Sequence, residues 1–115
     1  MIDKVQYQEC FQYFDNEIIV EVIDMFVEET PHLMSSIIRN IDNKDFESLT
    51  TNIAKLKGSV INFCDPVSTD QARKLEKMTS GKIEEGVREL IHQLRFSLDH
   101  LTSELLQIRN ALTNA

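Results

Sequence analysis

From Ile18 onward the apolar positions of the chain fall into runs at helical spacing. In the first run Ile18, Ile19, Val22, Ile23, Phe26 and Val27 recur one and four residues apart, with Glu17, Glu21, Asp24 and Glu28 between them. That is the stripe of an amphipathic helix, which Asp15 or Asn16 can cap. Pro31 interrupts it, yet Leu33, Met34, Ile37, Ile38 and Ile41 keep the same register. The spacing therefore predicts one long helix over about 16–41, kinked near Pro31 rather than ended by it. Phe46, Leu49, Ile53, Leu56, Val60 and Phe63 alternate steps of three and four, the seam of a bundle helix over about 44–63. Cys64, Asp65 and Pro66 break that run. Ser68 with Gln71 three residues on reads as a capping box that opens a shorter helix over about 67–79, carrying Ala72, Leu75 and Met78 inward. Thr79, Ser80 and Gly81 close it. A broad stripe from Ile83 through Val87, Leu90, Ile91, Leu94, Leu98, Leu101, Leu105 and Ile108 to Leu112 predicts a last helix over about 82–112. Upstream, Val5, Tyr7, Cys10, Phe11 and Phe14 are compatible with a short helix over about 4–13.

Four amphipathic helices joined by connections of a few residues pack antiparallel, because short loops leave neighbours no other arrangement. The expected fold class is all-α: an antiparallel up-down-up-down four-helix bundle with a short extra N-terminal helix. At 115 residues the chain accommodates one domain, 1–115, and not two. Three glycines and two prolines leave few turns for a β architecture.

Charge and cysteine usage then narrow the function. Twelve Lys and Arg stand against nineteen Asp and Glu, a formal net charge of -7, which repels a phosphate backbone and argues against nucleic-acid binding. No stretch approaches the roughly 18 uninterrupted apolar residues of a membrane span, and the N-terminus has no apolar core of a signal peptide. A cytoplasmic location and no membrane association are expected. Cys10 and Cys64 lie far apart in sequence with no CxxC and no histidine at ligand spacing, so two buried, reduced thiols are expected, with neither a zinc site nor a disulfide framework. Glu28-Glu29 and Glu84-Glu85 read as solvated helix ends. The sequence has no phosphate-cradling glycine loop and no carboxylate pair set for acid-base chemistry.

The third long helix contains Ala54-Lys55-Leu56-Lys57-Gly58-Ser59. This segment is similar to the histidine-phosphotransfer (HPt) signature His-x-Leu-Lys-Gly-Ser, with alanine in the histidine's place. The flanks extend the resemblance: Phe26-x-x-Glu29-Thr30-Pro31 before it, and Asp65-Pro66 followed by Ala72-Arg73-Lys74-Leu75-Glu76 after it. Together they span almost the whole chain. The segment after the motif departs from the family pattern, reading Val60-Ile61-Asn62-Phe63 without the small Gly-Ala pair common there.

Helical geometry puts Ala54, Lys57, Gly58 and Ile61 on one strip, turned by about 100° from the seam at Ile53, Leu56 and Val60 and so facing outward. The resemblance implies that this strip, with Lys55, meets a response-regulator receiver domain or a histidine kinase. It also implies that the lysine offers charge to phosphoryl oxygens and that the glycine clears the partner's approach. Gly58 is the most informative position, because a glycine inside a helix costs about 0.8–1 kcal/mol relative to alanine. Either a neighbouring helix crosses closely there, or something outside the fold needs the space.

Phosphate transfer needs a nucleophilic imidazole nitrogen, and the methyl group of Ala54 has neither lone pair nor titratable proton. His32, His92 and His100 each lack a Lys-Gly pair three and four residues on, and are expected to be ordinary surface or half-buried histidines. The sequence thus predicts a non-catalytic, monomeric HPt-like docking module with no catalytic residue and no cofactor, since the Mg²⁺ of phosphotransfer belongs to the receiver. Two other readings stay open. The chain is an active relay protein carrying an engineered His-to-Ala change at position 54, or it is a structural four-helix adaptor unrelated to phosphorelay.

Overall fold

Four aspartates each stand one residue before a helix in the computed structural model, which describes residues 1–81 and 85–114, and three of them cap it with their carboxylates. The Asp3 carboxylate accepts hydrogen bonds from the backbone N–H groups of Val5 and Gln6 and opens α1, Lys4–Phe11. Asp45 accepts from Ser48 N–H and opens α3, Phe46–Ile61. Asp65 accepts from Val67 and Ser68 N–H and opens α4, Pro66–Ser80, with Pro66 in the first turn where its missing N–H removes no helical bond. Between them runs α2, Asn16–Asp42, and after them α5, Val87–Thr113. Among the described residues there is no strand.

The seams read from the sequence form the core. Ile23, Ile37, Leu49, Ile53, Leu56, Val60, Phe63, Leu75, Leu94, Leu101 and Leu105 are all but inaccessible to solvent. They join one continuous apolar cluster contributed by α2, α3, α4 and α5. Helix α3 packs on α2 and α4, and α5 packs on α4 and α2, closing a ring of four. Two ion pairs link the ends of the long helices: Arg109 of α5 with Asp24 near the start of α2, and Arg88 of α5 with Asp42 at the end of α2. The molecule measures 46 × 23 × 20 Å, and its long axis matches the roughly 40 Å that a 27-residue helix spans at 1.5 Å per residue.

Helix α2 continues through Pro31 as one helix, as the unbroken register of its apolar stripe predicts. Several other local expectations are corrected. The α4 cap is Asp65 rather than Ser68; Ser68 is itself buried and donates its hydroxyl to Asp65 Oδ2 at 2.9 Å, because Pro66 fixes the first-turn geometry one residue after the aspartate. Ile18, placed on the α2 stripe, is exposed, whereas Ile2, outside every periodic run, is buried. Helix α5 starts at Val87, after Gly86 in the left-handed region at φ 80°, which the absence of a Cβ permits. The part of that helix expected over 82–84, including Ile83, lies outside the described residues.

The two thiols also depart from expectation. Cys10 is exposed and Cys64 half-buried, and their Sγ atoms are 3.7 Å apart.

Candidate functional site

The face that carries the motif is built on the middle of α3. Burial of Ile53, Leu56 and Val60 against the ring fixes the helix's rotation, and the residues a third of a turn away are thereby pushed outward. Ala54, Lys55 and Gly58 are exposed, and Ile61 at the end of the helix is 41% exposed. Among the described residues, a Cβ added at Gly58 would meet nothing within 4 Å beyond its own helix and chain neighbours. No neighbouring helix crosses there, so the close-packing explanation for this glycine fails.

The strip does not act as a single surface. Lys57 leans toward α4, where its Nζ donates to Glu76 Oε1 at 2.8 Å, and both side chains are 29% accessible. Its charge is therefore partly engaged by the fold, in a partly exposed pair of the kind worth about 0–1 kcal/mol. Lys55 and Gly58 lean the other way, toward α2, and line an open groove of about 730 Å³. On the α2 side that groove is bordered by Met25, Glu28, Glu29, His32 and Ser36. Met25, 52% exposed, and Leu33 are the apolar side chains of its lining. Lys55 forms no ion pair among the described residues and is the cation the face presents. Asn52 and Asn40, hydrogen-bonded at 2.7 Å, tie α3 to α2 at the groove's edge.

Of the histidines, His32 shares the groove with Lys55 and Gly58, a proximity that sequence reasoning missed. The signal was available in the steps of three and four linking Met25, Glu28, His32 and Ser36 along α2, which form a second, mostly polar stripe beside the apolar one. His92 and His100 lie on α5, which packs on α2 and α4, across the ring from α3. Both are exposed, and His100 meets the Phe96 ring edge-on at 4.7 Å. Among the described residues no cluster of three or more His, Cys, Asp or Glu could hold a metal ion, and no helix is long and apolar enough to cross a membrane.

Chemically, the face offers a flat, side-chain-free centre at Gly58, a methyl at Ala54, one engaged and one unengaged ammonium, and apolar contacts at Ile61 and Met25. It can bind a partner of complementary shape; no nucleophile stands at its centre. No protein-family model, no curated protein and no solved structure matches the chain.

Proposed function

We propose that the chain is a non-catalytic interaction module of the HPt type, which docks response-regulator receiver or histidine-kinase domains on the exposed face of α3 and accepts no phosphate there. In this reading α2 to α5 form an antiparallel up-down-up-down bundle with α1 appended. The crossed ion pairs Asp24–Arg109 and Asp42–Arg88, which join opposite ends of α2 and α5, support that direction of travel. One observation carries the functional reading: Gly58 sits inside a helix, on an open face, at a cost that the packing of the bundle does not require. A partner's backbone or side chain approaching Ala54 closely is the physical reason to keep such a position bare. Lys55 and Ile61 supply the charge and apolar contact that flank it.

Calorimetric titration with receiver domains from the same organism tests the reading. Saturable binding is expected, and Gly58→Arg is expected to abolish it while leaving the circular dichroism spectrum unchanged. Absence of binding to every receiver and kinase tried, or binding indifferent to Gly58→Arg, overturns the proposal. The chemical half is tested separately by incubating the protein and its Ala54→His variant with a phosphorylated receiver and Mg²⁺. Acid-labile, base-stable phosphate is expected on the variant alone. Such phosphate on the unaltered protein would show that another residue, His32 above all, is the acceptor.

A further inference from the structure

Cys10 and Cys64 are 54 positions apart in sequence and 3.7 Å apart in space. Their meeting is built from both sides. Cys10 lies in the last turn of α1, and Cys64 follows the end of α3 in the left-handed region at φ 59°, a conformation uncommon for a residue with a Cβ. The backbone pins the two segments together: Asp3 N–H donates to the Cys64 carbonyl at 2.7 Å, and Phe11 of α1 stacks on Phe63 with ring centroids 6.2 Å apart. The first residues of α1 are thus held by the backbone of the α3–α4 corner, and its last turn by the neighbouring aromatic ring. Closing the sulfurs to the roughly 2.05 Å of a disulfide requires a movement of under about 2 Å. Cys10 is exposed to solvent, so an oxidant can reach it.

We propose that Cys10 and Cys64 form a redox-modification site, which hydrogen peroxide oxidises to an intramolecular disulfide that staples α1 to the α3–α4 corner. The Cys64 thiol donates a hydrogen bond to Cys10 Sγ, and Cys10 is the more exposed of the two residues. Cys10 as thiolate attacks one peroxide oxygen; the O–O bond breaks, giving the Cys10 sulfenic acid and, after protonation, one water. The Cys64 sulfur then attacks the sulfenic sulfur, the S–O bond breaks, and the Cys64 proton leaves with the hydroxide as a second water. Two thiols lose two electrons in all, and one peroxide is reduced to two waters. Burial is the largest cause that pushes the Cys64 thiol up to about 11, ahead of its hydrogen bond to Cys10. Cys64 is therefore suited to the resolving role and Cys10 to the first attack. The pair is independent of the docking proposal.

The protein, reduced and then treated with stoichiometric hydrogen peroxide, tests the site. Intact mass is expected to fall by two hydrogens per chain, and both thiols to become inert to iodoacetamide. Peptide mapping is expected to join the segments that contain Cys10 and Cys64. The midpoint of thermal unfolding should rise by about 5 °C or more and return on adding dithiothreitol. Cys10→Ser and Cys64→Ser variants should show none of these changes. Two thiols that stay alkylatable, oxidation that stops at sulfenic or sulfinic acid on Cys10, or disulfides formed only between chains would each overturn the proposal.

Discussion

Replacing one hydrogen of Gly58 by a methyl group is expected to stabilise the protein. The added Cβ meets nothing within 4 Å, so Gly58→Ala gains helix propensity without a clash, about 0.5–1 kcal/mol. The urea midpoint should rise at unchanged slope; a fall would show that the glycine serves the fold after all. Cys64 carries a second expectation at this scale. Its thiol is held at about 11, above the ordinary 9.0, so the neutral form is favoured in the folded protein. The stability this contributes is complete below about pH 9 and is lost as pH rises through about 11. Tyr7, raised chiefly by burial and secondly by the charge of Cys64, acts in the same direction. In reducing buffer the urea midpoint should fall between about pH 9 and 11, and the Cys64→Ser variant should lose less over that interval. Equal slopes in both proteins would refute the assignment.

At the scale of elements, α4 has a narrow apolar face, which buries only Ala72 and Leu75 among its aliphatic side chains, and it is anchored at its start by the aspartate that precedes it. The Asp65 carboxylate, 1% accessible, accepts from two backbone N–H groups and from the buried Ser68 hydroxyl. Asp65→Ala removes the cap and orphans that hydroxyl, a loss of about 1–3 kcal/mol. Denaturant unfolding of the variant checks it, and a loss under about 0.5 kcal/mol would mean that water replaces the carboxylate at no cost. Ser68→Ala should be milder, since one apolar atom replaces one satisfied donor. This site also marks where sequence reading reached its limit. Ser68-x-x-Gln71 fits the capping pattern as well as Asp65-Pro66 does, and only the position of the helix axis separates them. The seams of α2, α3 and α5 were legible because each repeats over four or more turns, so that tertiary burial and periodicity agree. Helix α1 was legible only as a possibility: it has eight residues, none of them buried, and Val5 on its expected apolar side faces solvent. The outward strip at Ala54, Gly58 and Ile61 followed from the α3 seam by rotation alone. Engagement of Lys57 by Glu76, the approach of His32 and the meeting of the cysteines did not, because each depends on a neighbouring helix whose phase no local pattern states.

At the scale of the whole molecule, the ring of α2 to α5 shares one core, and α1 stands outside it. Loss of any one wall of that ring exposes the others, so the four helices are expected to unfold as a unit. Helix α1 is held differently, by half-buried Tyr7 and Phe11, the Phe11–Phe63 stack and the Asp3–Cys64 hydrogen bond. Segments with few buried contacts open at lower free energy than the core they rest on. The chain happens to be well placed to report this. It has no tryptophan, and its two tyrosines, Tyr7 and Tyr13, lie in α1 or just after it. Tyrosine fluorescence therefore follows α1 almost alone, whereas circular dichroism at 222 nm is dominated by the other four helices. In urea, under reducing conditions, the fluorescence transition is expected at lower concentration than the dichroism transition. Leu101→Ala, which opens a cavity in the core where Leu101 is fully enclosed, should destabilise by about 2–5 kcal/mol and draw the dichroism midpoint down toward the fluorescence midpoint. A covalent link between Cys10 and Cys64 should have the opposite effect on the gap: by tying α1 to the corner that α3 and α4 share, it makes the release of α1 contingent on the opening of the bundle, and the two transitions should merge at a midpoint above that of the reduced bundle. Coincident transitions in the reduced protein would instead place α1 within the cooperative unit from the start.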